Sequence, residues 1–208
     1  NGIGLTKEQI IDYLWHDDEP EYIEDLSVRF KNTIYRLRRV MGKDAIILSN
    51  NRYYFNNGLD YVYDAEEFER QLVNAEQAAT DNEKIELLFQ AIQNYKGDYL
   101  PQDYNHWVVT ERERYKMLFR TAVLRLIGYL FVKRQYKTII EFVKPMIDEE
   151  PEFEEGHRIL MRAYDGLGDP KRVMQQFKVL SSILKSNLGI SPSVETVQLY
   201  DSLIKQIK

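Results

Sequence analysis

Arginine and asparagine side chains recur within residues 26–43 at a spacing that places them on one face of a helix. At about 100° per residue, this face carries Arg29, Asn32, Arg36 and Arg39. The forked donors and acceptors of arginine and asparagine match the edges of guanine and adenine in the major groove of DNA. The face therefore predicts DNA recognition, and the alternative is an ordinary solvated basic surface.

The charge of this segment differs from that of the whole chain. Residues 26–43 contain no anion and six cations, namely Arg29, Lys31, Arg36, Arg38, Arg39 and Lys43. The 208-residue chain has a net charge of −5. A protein that binds DNA through bulk charge is basic overall. Any DNA binding by this chain is therefore predicted to use one local patch.

The opposite side of the same segment is apolar and predicts how the helix is held. Residues at intervals of three and four form one stripe, made of Leu26, Phe30, Ile34, Leu37 and Met41. Asp25 is predicted to cap the start of the helix, and Gly42 to follow its end. The helix is thus expected to bury its apolar stripe and to offer its basic face.

The flanking segments add a short helix and a hairpin. Residues 5–15 form an amphipathic pattern in which Thr6 and Gln9 have the spacing of a capping box. Residues 45–49 and 52–55 are β-prone runs around Asn50 and Asn51, which is a hairpin signal. The order of helix, turn, basic helix and hairpin is typical of a winged helix-turn-helix.

Three stretches resemble the second half of an OmpR-type winged helix. They are Leu-Trp-His-Asp-Asp at residues 14–18, Ile-Tyr-Arg-Leu-Arg-Arg-Val-Met-Gly at residues 34–42, and the hairpin ending in Asn-Arg-Tyr-Tyr-Phe at residues 51–55. The resemblance implies that residues 1–57 form a partial winged helix-turn-helix DNA-binding domain. In such a domain the helix around residues 34–41 is the recognition helix, and the hairpin is the wing.

This resemblance and the helical pattern assign the candidate DNA contacts. Contacts to the major groove and its flanking phosphates are predicted for Arg29, Asn32, Thr33, Tyr35, Arg36 and Arg39. Arg36 stands at the position that resembles the family's base-reading arginine. Lys31 and Arg38 lie off the main face and are predicted to meet phosphates, which give affinity without sequence information. Arg52, at the hairpin tip, is predicted to enter the minor groove or to lie in solvent.

From residue 64 onward the pattern is helical throughout. Helices are predicted from residue 64, at 82–95, 106–134, 136–147 and 154–167, and from residues 170 and 192. Aligning Gln135 with Asp169 gives a step of about 34 residues, which is the tetratricopeptide period. The predicted fold class is therefore mainly α, with a partial winged helix-turn-helix and a small β-hairpin followed by a tetratricopeptide-like antiparallel helical superhelix.

A second resemblance covers about residues 60–207. Tyr-Lys-Gly-Asp-Tyr-Leu-Pro at residues 95–101, Glu-Arg at 111–112, Leu-Met-Arg-Ala-Tyr at 160–164 and Leu-Gly-Ile-Ser-Pro-Ser at 188–193 are similar to the bacterial transcriptional activator domain. That helical domain follows a winged helix in the SARP family of regulators and in related response regulators. The resemblance implies that residues 58–208 form this domain.

Other functional classes lack their sequence signals. The chain has no cysteine, and no apolar run approaches the roughly 20 residues of a membrane span. His16, His106 and His157 are scattered, so a metal site is not predicted, and His157 is expected to support helix packing. No glycine-rich phosphate loop or nucleophile elbow is present. We therefore expect a cytoplasmic protein that is not an enzyme and needs no cofactor.

Two functional hypotheses follow. In the first, the parent protein is a DNA-binding transcriptional activator that reads double-stranded promoter DNA as a homodimer, and its helical domain contacts itself, RNA polymerase or a sensor domain. In the second, the tetratricopeptide-like helices bind a protein or a small effector, and the winged part does not bind DNA on its own.

Overall fold

The computed structural model describes residues 4–16 and 23–205 of the chain. Within these ranges the chain is mainly α-helical, with one antiparallel sheet of two strands. It divides into two compact units, one drawn from Asn1–Ala65 and Gly97–Lys116, the other from Glu66–Lys96 and Met117–Lys208. The predicted fold class is confirmed. The predicted boundary between residues 57 and 58 stays a prediction.

The first unit contains two helices near the start of the chain and the hairpin that follows them. Helix α1 is Lys7–Trp15, α2 is Ile23–Met41, and strands β1 and β2 are Ile46–Ser49 and Arg52–Phe55. The capping box of α1 is confirmed, because the Thr6 side chain accepts from the Gln9 backbone and Gln9 accepts from the Thr6 backbone. The predicted cap at Asp25 is wrong, because α2 begins at Ile23 and Asp25 lies within its first turn.

The apolar stripe of α2 is buried only over part of its length. Phe30 is 2% exposed and packs edge to face against Tyr53 of β2, with 5.1 Å between ring centroids. Leu37 and Met41 are 37% and 48% exposed. Leu26 and Ile34 are half-buried. The predicted burial of the stripe is therefore confirmed at Phe30, which the hairpin covers, and is wrong at Leu37 and Met41.

The hairpin forms in the predicted register around a tight turn. Ile46 pairs with Phe55, and Ser49 pairs with Arg52. Asn50 and Asn51 have φ of 50° and 60°, the left-handed conformation that a two-residue turn of this kind requires and asparagine tolerates. The free edge of β2 is also used, because Leu5 and Tyr53 exchange backbone hydrogen bonds of 3.1 and 2.8 Å.

The remaining helices follow one another in chain order. They are α3 (Asp64–Gln77), α4 (Asp81–Asn94), α5 (His106–Val132), α6 (Tyr136–Glu149), α7 (Glu154–Gly166), α8 (Pro170–Asn187) and α9 (Val194–Lys205). The first residues of α6 and α8 are 34 positions apart, which agrees with the predicted period. None of the helices in the described ranges is long and apolar enough to cross a membrane.

The second unit is built around one apolar core. Leu88, Leu126, Leu130 and Leu160, from α4, α5 and α7, are each no more than 2% exposed. Each of these side chains is enclosed by neighbours from other helices. The packing of the core therefore fixes how the helices lie, and the helix propensity of single segments does not.

We expect Leu126→Ala to lower the free energy of unfolding by about 2–5 kcal/mol, because it removes buried methyl groups and leaves a cavity. Val132→Ala is the matched control, since Val132 is at the end of the same helix and is 83% exposed. Urea unfolding followed by circular dichroism measures both. Equal losses for the two variants would contradict the assigned core.

His157 is a buried polar residue in this core and has both ring nitrogens paired. It is 0% exposed, its Nε2 lies 3.0 Å from the Pro151 carbonyl, and its Nδ1 lies 2.7 Å from Gln176 Nε2. Nε2 therefore donates and Nδ1 accepts, which is the neutral form. Burial lowers the pKa of His157, because the charged form loses its hydration. The prediction that His157 supports helix packing is confirmed.

This pairing predicts a pH-dependent stability. His157 takes up a proton near pH 6.5 in the unfolded chain and at a lower pH in the folded one, so stability is complete above about pH 6.5 and falls as the pH drops. Glu152 and Glu154 also have lowered pKa values, but their contribution is lost only below about pH 4.5. Unfolding free energies between about pH 5 and 7.5 should therefore rise with pH, and His157→Gln should flatten that slope. An equally steep slope in the variant would contradict the assignment.

Candidate nucleic-acid interface

The face of α2 that carries Arg29, Asn32, Arg36 and Arg39, called the reading face below, is open to solvent. Lys31, Asn32, Tyr35, Arg36 and Arg39 are exposed, and Thr33 is half-buried. Within the described part of the chain, no hydrogen bond or ion pair engages Lys31, Asn32, Arg36 or Arg39. The helix therefore presents a set of donors and one amide in a fixed arrangement, and these groups remain available to a ligand.

Arg29 belongs to the same face but has a contact inside the protein. Its guanidinium lies over the Trp15 ring of α1, 4.9 Å from the centroid, which is a cation–π geometry. Lys7 Nζ donates to Ser27 Oγ at 2.8 Å between the same two helices. These contacts fix α1 against α2, so Arg29 helps to hold the two helices together while staying exposed at the surface.

Arg38 is hydrogen-bonded to the hairpin. Its Nη2 and Nε donate to the Ile46 carbonyl at 2.7 and 3.3 Å. This contact joins the end of α2 to the start of β1 and was not foreseen from the sequence, where Arg38 was predicted to meet phosphate. No local signal indicates which carbonyl an arginine will reach, because the partner depends on how the hairpin folds back.

Arg52 also has a partner within the unit. Its Nη1 donates to the Gly4 carbonyl at 2.6 Å, and its side chain is half-buried. The contact lies beside the Leu5–Tyr53 backbone pair, so it holds the segment before α1 against the hairpin. Its predicted insertion into a minor groove stays a prediction.

A cleft of about 600 Å³ lies in front of the reading face. One wall comes from α1 and α2, and the other comes from the loop of residues 100–105 that precedes α5. Its lining residues are Leu14, Trp15, Asp25, Val28, Arg29, Asn32, Thr33, Arg36, Asp103 and Asn105. The sequence predicted helices at 82–95 and 106–134 and no DNA contact between them, so Asp103 and Asn105 are parts of the site that the sequence analysis missed.

The 100–105 loop is held by Arg112 of α5. The guanidinium donates to the carbonyls of Tyr99 and Asp103, each at 2.8 Å, and also to that of Leu100. Leu100 has a φ of 42°, a left-handed conformation that is unfavourable for a leucine. Arg112 thus holds a backbone shape that the loop sequence would not favour by itself.

The Asp103 carboxylate has a fixed position at the cleft. Its Oδ1 accepts from the backbone nitrogen of Asn105 at 3.0 Å and from Asn105 Nδ2 at 2.7 Å. The cleft therefore carries the cations Arg29 and Arg36 on the α2 side and the anion Asp103 on the loop side. Asp25 adds a second carboxylate within α2.

The described residues offer no cluster for a metal. No group of three or more histidine, cysteine, aspartate or glutamate side chains comes together anywhere in residues 4–16 and 23–205. The exposed donors and the amide of α2 can recognise a ligand through hydrogen bonds and charge.

Comparison with known proteins identifies the class. Residues 63–204 match the family model of the bacterial transcriptional activator domain. The chain belongs to this family, which is a domain of transcriptional regulators and not a family of enzymes. The predicted resemblance to this domain is thereby confirmed over residues 63–204. The predicted bounds of the domain, 58–208, stay a prediction.

One solved structure extends the likeness to almost the whole chain. The structure of Mycobacterium tuberculosis EmbR in complex with a low-affinity phosphopeptide matches with a TM-score of 0.74 and 15% sequence identity. The match covers 99% of this chain and 56% of the EmbR chain, so this chain spans little more than half of EmbR. At this identity the likeness shows the fold. No curated protein sequence gives a significant match.

We expect Arg38→Ala to lower the free energy of unfolding of the chain by about 1–2 kcal/mol, because it leaves the Ile46 carbonyl without its charged donor. Arg39→Ala is the matched control, since the neighbouring Arg39 is exposed and unpaired among the described residues. Urea unfolding monitored by circular dichroism compares the two. Indistinguishable midpoints would show that Arg38 does not hold the hairpin.

Proposed function

We propose that this chain is part of a DNA-binding transcriptional activator of the SARP type. Residues 1–57 act as a partial winged helix-turn-helix, α2 is the recognition helix, and residues 58–208 are the activator domain. The observation that carries the proposal is the exposed face of α2, where Asn32, Arg36 and Arg39 project from a helix that is held at the back by a hairpin.

The dimensions of α2 suit a major groove. A helix with its side chains is about 10–12 Å across, and the groove of B-DNA is about 12 Å wide. Asn32 and Arg36 are four residues apart and therefore follow one another along the face. In this arrangement Arg36 binds a guanine through two hydrogen bonds and Asn32 binds an adenine in the same way.

The other candidate residues have positioning roles in this proposal. Lys31 and Tyr35 flank the face, and Arg39 lies at its C-terminal end. All three are assigned to phosphates, which set the register of the helix on the duplex. Thr33 lies at the edge of the face and is half-buried. Arg38 and Arg52 each keep further N–H groups for phosphate while supporting the fold. Arg29 is assigned to phosphate from its exposed position on the face. Such phosphate contacts make the affinity strongly dependent on salt.

The partners follow from the same proposal. The DNA ligand is double-stranded promoter DNA in the bacterial cytoplasm, bound by the parent protein as a homodimer on repeated half-sites. The activator domain is assigned to self-association and to contact with RNA polymerase or a sensor domain, because stacked antiparallel helices offer extended surfaces for proteins.

A second candidate is a protein-interaction or effector-sensing module without DNA binding of its own. It is favoured by the family match, which lies on the helical residues 63–204. The EmbR structure was solved with a phosphopeptide, and in this alternative a peptide or a small effector is the ligand of the helices. The two candidates differ in one outcome, which is whether the chain binds duplex DNA at low salt.

We expect Arg36→Ala to weaken binding to a preferred duplex by about 1–3 kcal/mol and to relax the sequence preference at one position. The duplex is first selected from a random-sequence library with the unaltered chain, and affinity is then measured by fluorescence anisotropy at one salt concentration. Lys31→Ala should weaken binding to all sequences nearly equally, because a phosphate contact carries no sequence information.

Arg162→Ala is the matched control, since it removes one exposed arginine from α7. If Arg36→Ala and Arg162→Ala bind equally well, α2 is not the reading helix. If no duplex is enriched and no binding is measured at low salt, the interaction module is the correct function.

A further inference from the structure

The 100–105 loop forms the wall of the cleft opposite α2, across a volume of about 600 Å³. A recognition helix that enters a major groove has phosphate backbones on both sides. For α2 to do this, either a phosphate backbone must occupy the cleft or the 100–105 loop must move away.

The charge of the loop opposes the first of these possibilities. A backbone in the cleft would bring its phosphates against the Asp103 carboxylate, which faces the cleft opposite Asn32 and Arg36. Two anions at such short range repel each other, and salt screens this repulsion only beyond about 8 Å at physiological ionic strength. The cleft therefore attracts anions from one wall and repels them from the other.

The loop is also built to hold this position. Arg112 donates to three backbone carbonyls: those of Leu100 and Asp103 in the loop, and that of Tyr99 just before it. At its start, the hydroxyl of Tyr99 lies 3.1 Å from that of Tyr63. The carboxylate of Asp103 is aimed by Asn105. These contacts restrain the loop in its position beside α2.

We propose that the 100–105 loop is an autoinhibitory gate over the reading face of α2, with Asp103 standing where a DNA phosphate would lie. This inference rests on the proposed DNA binding and names how that same site is regulated. The gate closes by the Arg112 contacts and opens when the loop leaves the face. A partner that competes for the loop would then increase DNA binding.

Asp103→Asn tests the charge and keeps the shape, because the amide oxygen still accepts from Asn105. Asp98→Asn is the matched control. It makes the same change in net charge on the same connection, but Asp98 pairs with Lys116 at 3.3 Å and does not line the cleft. Binding of the 208-residue chain to a fluorescein-labelled random-sequence duplex is measured at low and at physiological salt.

We expect Asp103→Asn to bind the duplex about three- to ten-fold more tightly than the unaltered chain at low salt, with a smaller gain at higher salt. Asp98→Asn should change the affinity much less. Arg112→Ala, which frees the loop without removing an anion, should also tighten binding. Equal affinities for Asp103→Asn and Asp98→Asn would overturn the gate while leaving the proposed function intact.

A second measurement follows the loop directly. The chain has no cysteine, so Tyr13→Cys and Tyr104→Cys, at positions 56% and 83% exposed, introduce two spin labels, one on α1 and one on the loop. We expect the distance between the labels to increase when the duplex saturates the protein. An unchanged distance with bound duplex overturns the gate. If neither the unaltered chain nor Asp103→Asn binds any duplex, the proposed function fails and the gate fails with it.

Discussion

The burial of Phe30 beneath the hairpin is the contact on which the orientation of α2 depends. Its ring is enclosed and meets Tyr53 edge to face, and full burial of such a side chain stabilises a fold by about 1.5–3 kcal/mol. An exposed ion pair contributes about 0–1 kcal/mol, so apolar packing decides which side of the helix is held. The side that carries Asn32 and Arg36 is consequently left for solvent or for a ligand.

Arginines that bind backbone carbonyls form a second layer of organisation in the first unit. Arg38 joins α2 to β1, Arg52 joins β2 to Gly4, and Arg112 holds the 100–105 loop. A guanidinium suits this task because it has five N–H donors in a rigid plane and can satisfy several carbonyls at once. Much of the positive charge that suggests nucleic-acid binding in the sequence is thus also structural.

The second unit rests on different physics. Its helices bury one continuous apolar core, and the buried polar side chains His157 and Thr196 are paired. His157 is satisfied at both ring nitrogens, and Thr196 donates to Glu154, which also accepts from Ser193 before the start of α9. Although burial raises the pKa of Glu154, these hydrogen bonds together lower it. The pairing places α9 against α7 without leaving a buried polar group unsatisfied, which agrees with the membership of this part of the chain in a family of helical regulator domains.

The sequence by itself determined the elements of this protein. Period, caps and turn residues act within about four positions along the chain, so the capping box at Thr6, the turn at Asn50 and the helices from residue 64 were predictable. The error at Asp25 concerned the same local signals, because Asp25 lies in the first turn of α2 and not before it.

Only the tertiary structure decided which arginines of α2 are free and what stands in front of them. Arg36 and Arg38 are indistinguishable by composition, yet one is exposed and the other is bound to Ile46. Asp103 faces the same cleft as Arg36 although it lies far along the chain. Contacts of this kind depend on how helices and loops that are distant in the sequence pack together. The periodic pattern of a single segment does not predict which residues such packing brings into contact.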